Sequence, residues 1–486
     1  MHIFDLPGKH VQNPRQVALV YRGQKITYPE LERNIEQYAR YFLRRGLQPG
    51  ERVALALPNS PEFIYAYLGI TRAGGVVVPL NLLQTPQELA FIVTDAGTRF
   101  LVTSPAIAHQ FGQPSNLPVS PVILDEEVRQ EIEKAPPASF PEIDPGEVCT
   151  FLYTSGTTGR PKAAMLTHRN LLSNVKSMDE ASDLGPGDNF LAVLPMFHSF
   201  GWTVCVLLPL YLGSRITIMD SFRPKEVLQK LQEEGITVFC GVPSMFTVLL
   251  KLRRQATFPC LKLAISGGDS ISPEYMKAFA ENFNFPVIEG YGLSEASPVV
   301  CLNPLDGRPR KIGSVGIPLP GVEVKVVDGN DRELPPGEVG ELVVRGPNVM
   351  RGYHNREEET RTVLRGGWLH TGDLAHRDRD GYVFIAGRQK ELIITAGYNV
   401  YPKEVERALE EHPAVAEAAV IGVPHPVKGE TVKAFIVPEE GCTPDKQELL
   451  RFLKERLAGY KIPETFVFTT ELPRGPGNKV LKRLLK

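Results

Sequence analysis

The sixteen residues YTSGTTGRPKAAMLTH, from Tyr153 to His168, constrain this chain more than any other stretch. Residues 148–153 before them form a short apolar run that reads as a β-strand. A loop follows with two glycines, one serine and three threonines, closed by Arg160, Pro161 and Lys162. Glycine lets a backbone approach a ligand closely, successive N–H groups and hydroxyls donate hydrogen bonds, and lysine offsets negative charge. Thr154, Ser155, Gly156, Thr157, Thr158, Gly159 and Lys162 are therefore expected to cradle a polyphosphate. The common GxxxxGK[ST] nucleotide loop is excluded, because Gly159 is followed by Arg160 and Pro161 rather than by lysine. A flexible polar linker is the bland alternative, and it explains neither the preceding strand nor the fixed Pro-Lys.

At 486 residues the chain is too long for one core and should divide into two to four folding units. Its 54 Lys+Arg balance 56 Asp+Glu, which gives no electrostatic footprint for nucleic acid. The six cysteines, at 149, 205, 240, 260, 301 and 442, include no CxxC pair, so reduced thiols are expected rather than disulfides or zinc. The N-terminus lacks a basic start followed by an apolar run, which fits a cytoplasmic enzyme without a signal peptide. Residues 191–212 carry no formal charge over 22 positions, long enough to span a bilayer. Pro195, His198, Ser199 and Pro209 interrupt the run, and it reads as buried core instead.

From about residue 26 to 266, helical and strand patterns alternate, which implies parallel sheets wrapped by helices. Near 313 the pattern shifts to short strands with Asp328-Gly329-Asn330-Asp331 and Pro335-Pro336-Gly337 turns, as in a small antiparallel β unit. From about 388 the alternation resumes, as a compact α+β domain.

The spelling TSGTTGRPK resembles the phosphate loop of the acyl-adenylate-forming superfamily, which includes acyl-CoA synthetases, luciferases and peptide-synthetase adenylation domains. Ala163 stands where that family usually has glycine. The resemblance covers nearly the whole chain, with five motifs in the family's order. The run GGWLHTGDLAHRDRDGYVFIAGRQKELIITAG is similar to the fatty acyl-CoA synthetase signature in particular. The implied fold is α/β: two doubly wound α/β lobes plus a small β-barrel-like unit (about 313–387) in an adenylation domain of residues 1–387. A small, mobile α+β lid of residues 388–486 would follow.

The implied site draws on several segments. EGYGLSE, residues 289–295, matches the family's adenine and magnesium segment: Glu289, Gly290, Tyr291, Gly292, Leu293 and Ser294 around the nucleotide, and Glu295 with Thr157 on Mg²⁺. Tyr291, between two glycines, could lay its ring on a purine, and a carboxylate suits a hard cation. Gly267 and Gly268 resemble a segment closing over ATP or AMP, although Asp269 replaces a small apolar residue there. Asp373 and Arg388 would hold the ribose, Lys390 would be the hinge, and Lys479 the catalytic lysine of adenylation. Gly397, Tyr460 and Lys461 resemble positions on the CoA side. His198 falls in the substrate-pocket segment, where a satisfied core histidine is the alternative.

These motifs imply ATP-dependent activation of a medium- to long-chain fatty acid, followed by thioester formation with CoA. An aryl or phenylpropanoid acid, or a carrier protein as acceptor, shares every motif. Peripheral membrane contact and the choice between monomer and homodimer stay open.

Overall fold

The computed structural model describes residues 1–108, 119–155, 161–252, 257–474 and 480–485, without the side chain of Ser155. Residues 156–160 of the phosphate loop, including Gly156, Thr157, Thr158 and Gly159, and the catalytic candidate Lys479 lie outside these. Among the described residues the chain forms four sheets.

Two large sheets carry the N-terminal part. The seven-stranded sheet has parallel strands Val148–Ser155, Val76–Pro79, Arg52–Ala56, Thr98–Thr103 and Ser120–Ile123 side by side, with Pro161–Thr167 and Gly352–Tyr353 added antiparallel at one edge. The nine-stranded sheet runs parallel from Val287–Gly292 across Leu263–Ser266, Val238–Gly241, Asn189–Ala192, Arg215–Ile218 and Val17–Tyr21. Antiparallel strands close both of its edges. Mixed edges on a parallel centre are common in large doubly wound sheets.

Strand periodicity sorts the core. Val53 and Leu55 face one hydrophobic cluster while Ala54 and Ala56 face another. Phe190 and Val238 likewise join the first cluster, whereas Leu191 and Phe239 turn to a third. The shared cluster lies between the two sheets, filled by helices Tyr28–Arg44, Pro61–Arg72 and His168–Glu180. The first of these helices starts at a capping box in which Thr27 accepts from the Glu30 N–H and Glu30 accepts from the Thr27 N–H. The uncharged run 191–212 is part of this interior: Trp202 and residues 204–208 are at most 3% exposed. No helix among the described residues is long and apolar enough to cross a membrane. All six cysteines are free, with Cys260 and Cys442 exposed and the other four buried.

The β unit is a five-stranded antiparallel sheet built from Glu323–Val327, Gly340–Arg345, Leu364–Arg365, Trp368–Arg377 and Val383–Arg388. Val324, Val326, Leu342 and Val344 bury into the shared cluster, so this unit packs directly against the lobes. The last sheet comprises Ile393–Thr395, Tyr398–Val400, Val415–His425, Gly429–Pro438 and Thr465–Phe468. It has its own core, with helices Pro402–Glu410 and Lys446–Lys454 laid on one face.

Candidate active site

One cavity of about 1120 Å³ opens where these parts meet. It lies beyond the carboxyl ends of strands Leu263–Ser266 and Val287–Gly292, where open α/β sheets place their ligands. Gly267, Gly268, Gly290, Tyr291, Gly292, Leu293, Ser294 and Glu295 line it, as do Thr154, His198, Asp373, Arg388 and Lys390. Segments more than two hundred residues apart in sequence thus converge on one wall. Glycine is required at 292, because a Cβ there would sit 2.2 Å from the Pro298 carbonyl oxygen.

Asp373 is the best-held polar group of the wall. It is 7% exposed, its Oδ2 accepts from the Tyr291 hydroxyl at 2.6 Å, and Arg388 Nε stands 3.2 Å from its Oδ1. Burial pushes the Tyr291 phenol well above its ordinary range, and the adjacent Asp373 carboxylate adds to this. The ring that the sequence offers to a purine is thus also a hydroxyl donor, which fixes its plane.

Glu295 stands across the cavity. Its Oε1 accepts from the Tyr353 hydroxyl at 2.9 Å and from Thr154 Oγ1 at 3.3 Å. Among the described residues there is no cluster of three or more His, Cys, Asp or Glu able to hold a metal. A lone carboxylate suits Mg²⁺, which keeps its waters and is held through one or two carboxylates plus substrate phosphates.

Several candidate residues sit elsewhere than the sequence suggests. Glu289 does not face the cavity. Strand alternation puts it on the same side as Val287, under the helix Pro273–Phe283, where it is 2% exposed and its Oε1 accepts from the Ile271 N–H at 3.2 Å. Burial pushes its carboxyl up to about 7. Lys162 is not among the cavity-lining residues; its ammonium pairs with Glu359 and lies 5.6 Å from the centre of the Tyr353 ring. A half-buried ammonium needs such a partner. Gly397, Tyr460 and Lys461 are also away from the lining. Tyr460 stacks on Tyr398 at 4.6 Å, and Lys461 pairs with Glu404 at 2.6 Å.

His198 is exposed rather than a core residue. Its Nδ1 accepts from the Phe200 N–H at 3.2 Å, capping the short helix Ser199–Trp202. Lys390 stands two residues after Arg388, where the β unit ends and the last domain begins. Val480, Leu481 and Lys482 line the same cavity, so the chain next to Lys479 reaches its rim. Residues without a readable spacing signal also matter here. Lys403 of the last domain pairs with Asp269 across the boundary, and Tyr353 supports Glu295.

Residues 9–354 match the family described as AMP-binding enzyme, and residues 404–479 match its C-terminal domain. The chain belongs to the AMP-binding enzyme family. This AMP-binding enzyme is similar to a long-chain-fatty-acid–CoA ligase of Bacillus subtilis, 35% identical over 100% of this chain and 95% of the relative. A feruloyl-CoA synthase of an Amycolatopsis species is 36% identical over 97% of this chain and 95% of its own length. The structure resembles ATP-bound MatB from Rhodopseudomonas palustris at a TM-score of 0.93 and 35% identity, covering 100% of this chain and 98% of that one.

Proposed function

We propose that this enzyme activates a carboxylic acid with an apolar tail at the expense of ATP, then transfers the acyl group to CoA. Acyl-AMP and pyrophosphate form first, and acyl-CoA and AMP second. The single observation that carries the substrate class is the apolar part of the cavity lining, formed by Met178, Phe197, Phe200, Val204, Ile265 and Leu302. Among the described residues, the lysines and arginines of the lining are Arg388, Lys390, Lys482 and Arg483, all from the end of the β unit onward. A second carboxylate on the substrate would meet no cation among the apolar side chains, and burying it unpaired is costly.

In this reading Asp373 and Arg388 hold the ribose hydroxyls, and Tyr291 orients the adenosine. Thr154, Ser155 and residues 156–159, with Lys162 released from Glu359, receive the phosphates. Gly267, Gly268 and residues 290–294 close over the nucleotide. Glu295 and Thr157 hold Mg²⁺, which supplies charge neutralisation on the phosphates. The acid carboxylate attacks the α-phosphorus in line and pyrophosphate leaves, with Lys479 stabilising the charge shared across the forming bond. The second half needs that lysine withdrawn to admit a thiol. We place the domain boundary at residue 388 and the pivot at Lys390 for this reason. CoA would approach along Gly397, Tyr460 and Lys461, and His198 stands at the acyl end.

A second reading, an aryl acid such as a phenylpropanoid, is favoured by the feruloyl-CoA synthase relative and by the Phe197 and Phe200 rings. One competition reaction separates the two. The protein would be given ATP, Mg²⁺, CoA and an equimolar mixture of straight-chain acids, benzoate and coumarate, and the thioesters identified by mass. Fatty acyl-CoA with matching AMP is the expected product. Aryl-CoA alone would transfer the assignment to the second reading, and absence of AMP would refute both.

A further inference from the structure

The strand that carries Asp373 breaks register where the nucleotide would sit. Val343 is opposite His370 and Glu341 is opposite Leu374, so one residue on the first strand faces three on the second. Thr371, Gly372 and Asp373 are therefore bulged out of this ladder, a device that re-aims a side chain, while Asp373 stays paired with Arg388 on the other side of its strand. Gly372 takes φ +70° there, which favours glycine. The bulge leaves the Gly372 N–H, which is partly buried, without a backbone acceptor on the strand Gly340–Arg345.

The Glu341 side chain supplies an acceptor. Its Oε1 accepts from the Gly372 N–H at 3.0 Å and its Oε2 lies 2.8 Å from His370 Nδ1, so one carboxylate grips the segment at two points. The next link is Thr371, whose hydroxyl donates to the Leu342 carbonyl at 2.6 Å and accepts from the Asp373 N–H at 3.1 Å. The Glu341 side chain is 12% exposed and does not itself line the cavity. Arg365 Nη2 also lies 3.7 Å from its Oε2, and the path through Gly372 and Thr371 leads to the Asp373 carboxylate.

We propose that Glu341 is a positioning residue for nucleotide recognition, which sets the direction of Asp373 by fastening the bulge in front of it. The proposal rests on Asp373 being the ribose ligand, and the experiment separates the two claims. The full-length protein would be assayed for acid-dependent AMP formation with ATP and with 2′,3′-dideoxy-ATP. The readout is the ratio of kcat/KM for the two nucleotides, which does not depend on the fraction of active protein. Wild type should prefer ATP, and Asp373→Asn should erase that preference. Glu341→Ala should reduce it about tenfold and raise the KM for ATP while leaving the KM for the acid unchanged. Glu341→Gln, which keeps an oxygen for the Gly372 N–H, should lose only about threefold. If Glu341→Ala is not soluble, the Gln variant carries the test, and an unchanged ratio in it overturns the proposal. An unchanged ratio in Glu341→Ala beside a collapsed one in Asp373→Asn overturns the role of Glu341 alone. Retention of the preference in Asp373→Asn overturns the ribose assignment and the proposal with it.

Discussion

The Tyr291 hydroxyl donates to Asp373 Oδ2 at 2.6 Å, joining the last strand of a parallel sheet to a strand of the β unit. Arg388 holds the other oxygen of the same carboxylate. The acceptor is thus oriented before any ligand arrives, which lowers the ordering cost of binding. Tyr291→Phe keeps the ring and removes the donor. Bonds to a charged acceptor contribute about 1.5–3 kcal/mol, so the KM for ATP should rise about tenfold or more. The KM for the acid should hold steady in pyrophosphate exchange at varied concentrations of each substrate. An equal rise for both substrates would contradict the assignment.

Much of this site is legible in the sequence because it sits on short, local signals. Gly-rich turns after strands and the run Thr371-Gly372-Asp373 each need only a few adjacent residues. Their convergence on one cavity then follows from strand order, and Gly267, Tyr291, Glu295, Asp373 and Arg388 do line it together. What could not be read depends on register or on the far side of a fold. Glu289 lies inside the EGYG motif, yet one step of strand alternation turns it away from the cavity. Glu341 acts only because a bulge about thirty residues later exposes an amide. Asp269 departs from the resemblance, and its partner Lys403 lies more than a hundred residues on, in another domain.

That Asp269–Lys403 pair crosses the boundary between the nucleotide-facing lobe and the C-terminal domain. Burial disfavours the Lys403 ammonium, and Asp269 and Glu406 more than offset this and raise it. A pair that exists in one domain arrangement biases the equilibrium toward that arrangement by its own interaction energy. With the Lys403 and Asp269 side chains 25% and 39% exposed, solvent still screens the pair to about 0–1 kcal/mol, so Lys403→Ala or Asp269→Ala should slow adenylation by about two- to fivefold. Thioester formation from supplied acyl-AMP should be unchanged or faster. The double variant should be no worse than either single one, as in a coupled pair. Single-turnover rates of each half-reaction decide this, and equal slowing of both halves would refute the latch.

Glu289 gives the fold a pH dependence of definite sign. Its buried carboxyl is raised to about 7 from an ordinary value near 4.5, so the folded state holds this proton more tightly than the unfolded chain does. Stability from this group is complete below about pH 4.5 and is lost as pH rises through 7. The difference between the folded and unfolded proton affinities makes the full loss about 3 kcal/mol. Glu289→Gln, isosteric and uncharged, should therefore melt higher than wild type at about pH 8 and nearly level with it at about pH 5. Melting curves at the two pH values test this. A constant difference between the proteins would mean that Glu289 does not titrate on unfolding.

We place Gly267 where the nucleotide and the acyl end meet, with Phe200 against it. A Cβ built there lies 3.1 Å from Phe200 Cε1 and 3.3 Å from its Cζ, closer than the ring tolerates without shifting. Phe200 is only partly buried and can give by a few tenths of an ångström, so Gly267→Ala should fold and still bind ATP. The shift takes space from the acid. One methyl group in an apolar pocket changes discrimination by about 10- to 200-fold, and a rigid aryl ring yields less to a narrowed wall than a flexible chain does. In the Ala variant, kcat/KM for coumarate should fall at least about tenfold further than kcat/KM for a straight-chain acid of similar length. The KM for ATP should rise less than the KM for the acid, because the added methyl group faces Phe200 rather than Asp373. If both acids lose equally, Gly267 bounds the nucleotide alone, and the acyl chain runs along the Met178 and Val204 side.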